Sequence, residues 1–172
     1  MLAQSDQLAE QLGACKSETA SNEEKIEACT KLIGTTADDE VKVEALIQRG
    51  VLREGALQRE EALADYTEAL RIDQANAIAL FNRGNVHDQM GAYDLAVADY
   101  TEALKIDPND PDIYNNRGQS YDNKGQYDLA IADYNAAIRL APMVARSYYN
   151  RALSNFAKSD HRAALLDFDQ AI

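Results

Sequence analysis

From residue 43 to residue 172 the apolar and small residues fall into a pattern that returns every 34 positions. Laying 111–144 over 77–110 brings Gly84 onto Gly118, Ala96 onto Ala130 and Ala103 onto Ala137. Tyr93 falls on Tyr127, Tyr100 on Tyr134 and Pro108 on Pro142. Residues 43–76 carry Gly50, Ala62, Tyr66 and Ala69 at the same places, and 145–172 carry Ala152, Ala164, Phe168 and Ala171. A period of this length marks a stacked array. Within each unit the pattern predicts a helix over about the first fourteen residues, a tight turn and a second helix. Gly91 and Gly125 mark two of those turns, and Pro108 and Pro142 stop the second helices. The small residues predict close approach, with Gly84 opposite Ala96 and Gly118 opposite Ala130. Tyr93, Tyr100, Tyr127 and Tyr134 read as packing residues between hairpins.

Residues 2–34 read as a divergent leading hairpin. Leu2, Leu8 and Leu12 share one helical face. Ser21 and Glu24 form the signature of a capping box, after which Ile26, Cys29, Leu32 and Ile33 recur at helical spacing up to Gly34. Residues 35–42 read as a polar linker, and everything from 1 to 172 as one domain.

The repeating unit resembles a tetratricopeptide repeat, with a large residue, a small one four further on, then Tyr, Ala, Tyr, Ala and Pro at set offsets. The resemblance implies an all-α fold, a right-handed superhelical solenoid of antiparallel helix pairs whose concave face binds extended peptides or partner helices. The leading stretch resembles that of exported bacterial tetratricopeptide proteins, in which a Cys near the end of one helix faces another in an ACTKLI-like helix. That resemblance implies a Cys15–Cys29 disulfide and an oxidising, periplasmic or secreted, setting. The alternative is two buried thiols filling a helix interface in the cytoplasm. Counted outward from the turn, the two cysteines stand about one helical turn out of register. Two thiols with no neighbouring His are too few ligands for a metal site.

Charge narrows the partners. Seventeen Lys and Arg against 29 Asp and Glu leave a net charge of −12, which repels phosphates and so argues against nucleic acid and against an anionic membrane surface. No apolar run approaches the roughly 20 residues of a membrane span. The first residues lack the basic start and apolar run of a secretory signal. The last unit stops at Ile172 before its turn, which reads either as a piece of a longer protein or as a bare end that packs on another copy.

Two polar ladders run through the repeats. Arg49, Arg83, Arg117 and Arg151 take the seventh position of each unit, and Asp65, Asp99, Asp133 and Asp167 the twenty-third. Their spacing predicts four Arg–Asp pairs on facing helices, partly withdrawn from water. The sixth position reads Gln48, Asn82, Asn116, Asn150. A carboxamide both donates and accepts, so it can bond a peptide backbone whatever the side chains. This ladder resembles one that holds extended peptides in some tetratricopeptide proteins. Family geometry adds Asn85, Asn115, Gln119 and Asn123 beside it, with Glu44, Asp88, Asp112 and Asp122 as negative charge. Ile78, Phe81, Tyr149 and Phe156 would supply apolar contact. The family's carboxylate clamp needs several cations. Only Arg146 matches one, while Phe81 and Asn150 stand where others are required.

No enzyme chemistry emerges. His87 and His161 stand where neighbouring units carry Tyr, and the acidic run 107–112 lacks the ligand spacing and central Gly of a calcium loop. No cofactor is implied. The expectation is a non-enzymatic adaptor that binds a neutral or basic extended protein segment. A self-assembling scaffold and a regulatory part of a larger protein are the alternatives.

Overall fold

The computed structural model describes residues 2–171, with side chains from residue 7 onward, so the expectations for the Leu2 side chain and for Ile172 lie outside what it describes. The described residues form ten α-helices and no strand. They divide into two compact bodies, Met1–Val86 and His87–Ile172.

The first body holds α1 (Leu2–Cys15), α2 (Asn22–Thr35), α3 (Asp39–Gly55), α4 (Arg59–Ile72) and most of α5 (Ala77–Gln89). Here α2 packs on α1 and α3, and α3 pairs with α4. The capping box at α2 is complete, with the Ser21 amide donating to Glu24 and the Glu24 amide donating to the Ser21 hydroxyl. The expected linker over 35–42 is shorter than the sequence suggests. Asp38 caps α3 by accepting from the Val41 amide at 3.1 Å, and Asp39 and Glu40 favour the positive end of the helix dipole, so the helix starts early. Cys15 and Cys29 are joined as a disulfide, with Cα atoms 4.8 Å apart. The connection through 16–21 absorbs the offset expected from helical counting, tightened by Thr19 and Ala20 amides donating to the Ser17 hydroxyl. Around the disulfide pack Ile26 and Leu52. A second cluster joins Ala62, Tyr66 and Val86 with Ile47 and Leu63.

The second body holds α6 (Tyr93–Ile106), α7 (Pro111–Asn123), α8 (Tyr127–Leu140), α9 (Ala145–Ala157) and α10 (His161–Gln170). Consecutive helices pack as α6 on α7, α7 on α8, α8 on α9 and α9 on α10. Pro111 opens α7 at a position where its missing N–H costs no helical bond, and Asp110 caps it. The four tight turns share one backbone device. Leu57, Gly91, Gly125 and Ser159 stand at equivalent positions and all take positive φ, at 62°, 75°, 69° and 66°.

In two of the hairpins, α3–α4 and α7–α8, a tyrosine ring occupies the space above a glycine. A Cβ on Gly50 would lie 2.5 Å from Tyr66 Cε1, and one on Gly118 2.8 Å from Tyr134 Cε1. The nearest side chain to Gly118 is therefore the ring of Tyr134. The sixteen-residue offset that pairs Arg with Asp also pairs this glycine with the tyrosine, and the ring needs the room a side chain would take.

Candidate functional site

The arginine ladder is built by register. Arg117 reaches across from α7 to α8 and grips Asp133 with two nitrogens, Nε to Oδ2 and Nη2 to Oδ1, both at 2.7 Å. Arg151 holds Asp167 in the same way at 2.8 and 2.5 Å. Arg49 holds Asp65 at 3.0 and 2.6 Å, joined there by Arg53 at 2.7 Å. The aspartates are buried. Each of these arginines turns its remaining nitrogen to the preceding hairpin, donating to Thr30 at 2.9 Å, Thr101 at 3.1 Å and Asn135 respectively for Arg49, Arg117 and Arg151. Arg83 belongs to the first body and Asp99 to the second. Asp99 is buried, with His87 Nε2 3.8 Å from its carboxylate.

A second network has no counterpart in the sequence reading. Tyr134 donates its hydroxyl to Asp122 at 2.7 Å, and Ser154 from the next hairpin donates to the same carboxylate at 2.7 and 2.9 Å. Ser120 donates to Asp88 at 2.5 Å, and Tyr66 to Glu54 at 3.4 Å. Burial pushes the Asp122 carboxyl above the usual aspartate range, against the pull of its two hydroxyl donors. Burial also drives the Tyr134 hydroxyl well up, reinforced by Asp122. The signal in the sequence is an acid at the twelfth position of one unit followed by Ser at the tenth of the next, an offset of 32. It becomes readable only once the stacking register is known.

The candidate binding residues separate into three groups. In the second body Gln119, Asn123, Asn150 and Leu153 border a cleft of about 320 Å³ above Asp122, Tyr134 and Ser154. Asn116 is half-buried, and Tyr149 is exposed with its ring edge-on to Phe168 at 5.7 Å. In the first body Phe81, Asn82 and Asn85 are half-buried on α5, while Gln48 lines a separate groove. Three of the remaining assignments, Asn115, Asp88 and Asp122, need correction. Asn115 is 1% exposed, its carboxamide set against Ser147 Oγ at 3.2 Å and the Arg146 guanidinium at 3.1 Å, so it cannot meet a ligand. Asp88 and Asp122 are committed to internal hydroxyl donors and shape the surface instead of presenting open charge. Arg146 pairs with Asp112 at 2.7 Å. Phe156 stacks at a tilt on His161, ring centres 5.0 Å apart.

The groove around Gln48 measures about 740 Å³. Its apolar lining comes from Val43 and Ile47 of α3, Ile72 at the end of α4 and Ile78 at the start of α5. Asp39, Glu40, Glu44 and Asp73 edge it, with Lys16 as the one cation among the described residues of its lining. Lys16 is ion-paired to Glu44.

Comparison with known families resolves the architecture. A model described as TPR repeat matches 58–91 and 88–125, and one described as tetratricopeptide repeat matches 111–143. Together they span 58–143, half of the chain. The chain belongs to the tetratricopeptide repeat family. No curated protein matches it. Among solved structures, this tetratricopeptide chain is similar to a crystal structure of MamA at 22% identity and a TM-score of 0.81, covering 87% of this chain and 86% of that one. MamA 41-end from Desulfovibrio magneticus RS-1 gives 20% identity and a TM-score of 0.86, covering 96% and 92%. MamA AMB-1 gives 19% and 0.79, covering 99% and 90%. At these identities the likeness is one of fold.

Tetratricopeptide proteins bind protein partners and are typically interaction modules, and at that level this chain is one. No helix among the described residues is long and apolar enough to cross a membrane. Nor do the described residues bring together three or more His, Cys, Asp or Glu side chains in a metal-binding group. Carboxamides, apolar side chains and carboxylates are among the groups the described surface offers a partner.

Proposed function

We propose that this tetratricopeptide protein is a non-enzymatic adaptor that holds an extended segment of a partner protein against the first helices of its hairpins. The observation that carries the reading is the cleft in which Gln119, Asn123 and Asn150 stand together beside Leu153. Amide donors and acceptors over an apolar edge suit a peptide backbone with intermittent apolar side chains. Changing Gln119, Asn123 and Asn150 together to Ala is expected to weaken capture of the partner segment at least tenfold while helicity by circular dichroism stays the same. Unchanged capture would remove the amides from the mechanism. The disulfide supports an oxidising compartment as the working location. Protein isolated from its native host should show no alkylatable thiol before reduction and two after it.

A second reading, self-association, has its own support. Leu165 and Leu166 on α10 are 63% and 60% exposed. Light scattering over a concentration series tests it, and a constant monomer mass would exclude it.

A further inference from the structure

We infer that the groove of the first body is the docking site for a short partner segment in which aliphatic side chains are interleaved with lysine or arginine. The inference rests on the protein-interaction reading but not on the amide ladder, and it names the chemistry of the guest. Three observations meet here. The groove is large, within the range of roughly 300–1,000 Å³ in which pockets enclose a small ligand or a few side chains. Its apolar surface is drawn from α3, the end of α4 and the start of α5, and Ile78, 62% exposed, leaves one wall uncovered. Covering that wall with a Leu or Ile side chain removes apolar surface from water on both partners.

The edge then selects charge. Four carboxylates, on Asp39, Glu40, Glu44 and Asp73, stand around the apolar strip. Lys16 in the lining is already ion-paired to Glu44, and Arg71, which interacts with Asp39 from outside the lining, is held by Glu68, which leaves the groove negative overall. An acidic guest would bring like charges together over a surface it must desolvate. A basic one gains attraction during approach and a correct register once seated. Asp73 is held in place by the Ala75 amide at 3.2 Å and the Asn76 side chain at 3.0 Å, so that carboxylate is oriented before a guest arrives. Lys16 follows directly on Cys15, so the disulfide fixes the α1 end that carries one wall.

The test is a fluorescence anisotropy titration of the full chain with a labelled, end-capped heptapeptide alternating lysine and leucine. Two comparison peptides replace every lysine by glutamate or every leucine by serine. The lysine–leucine peptide is expected to bind about tenfold or more tighter than either. Asp39→Lys with Glu40→Lys should cost about tenfold, whereas Glu27→Lys with Glu60→Lys, the same change in net charge away from the groove, should cost less than about threefold. Ile78→Ser should weaken binding about fivefold without altering its salt dependence. Circular dichroism checks folding, and Glu40→Lys alone serves if the double change disturbs α3. Equal losses from the two charge-reversed pairs would overturn the inference by showing that net charge alone attracts the peptide. So would a serine peptide that binds as well as the leucine one. If the Gln119, Asn123 and Asn150 triple change costs as much as the groove changes, the peptide lies along the amides of the second body. The groove is then excluded while the adaptor reading stands.

Discussion

Tyr134 has little freedom to step back from Gly118, because its hydroxyl is bonded to Asp122 at 2.7 Å and its ring is buried. Gly118→Ala would set a methyl 2.8 Å from Cε1. The expected cost is about 1–3 kcal/mol, read as a lower urea midpoint. Gly34→Ala is the control, since a Cβ there meets nothing within 4 Å. Asp122 makes a second test at the same scale. Its carboxyl is raised by burial, so its contribution to folding is fully present below the usual aspartate value and is lost as pH climbs through the raised one. Asp122→Asn removes that titration. Wild type should therefore lose stability relative to Asp122→Asn as pH rises from 3.5 to 7. Parallel urea midpoints across that range would show that the carboxyl is not perturbed. Asn115 carries the sharpest lesson of this scale. Its position holds Ile47, Phe81 and Tyr149 in the other units, and a polar residue among apolar ones there points inward once a partner such as Arg146 is near.

At the scale of the helix pair, stability depends on charges that are hard to separate. Asp133→Ala would strand the Arg117 guanidinium in a site where little of it reaches water. A cost of about 3 kcal/mol is expected, with at least half regained in Arg117→Met with Asp133→Leu. Lys105→Ala breaks an exposed pair with Glu102 and should cost about 0.5 kcal/mol or less. Equal effects at the two sites would mean that burial does not govern these bridges. The Arg–Asp spacing was legible because both partners lie in one unit and sixteen residues fix their helical faces. The hydroxyl network was not legible in the same way. Ser154 and Asp122 belong to successive hairpins, and a single sequence does not state how one hairpin is rotated on the next.

At the scale of the whole molecule the 34-residue period carried the fold class, since small and large residues at set positions dictate both the helices and their pairing. The groove of the first body stayed out of reach because it draws on Lys16 and Asp39 outside the regular units. The disulfide gives this region a test of its own. Reducing Cys15–Cys29, which closes a loop over a separation of 14 residues, should cost about 3 kcal/mol. Hydrogen exchange should show faster amides across α1 and α2, with α7 to α9, which contain no cysteine, as the internal reference. Uniform acceleration would mean that the bond supports more than its hairpin. The third nitrogen of Arg117, donated to Thr101, has a practical consequence for anyone recombining such arrays. A transplanted segment 111–144 brings its own fastener, and the host need only offer a hydroxyl or amide oxygen at the matching place on the hairpin ahead of it.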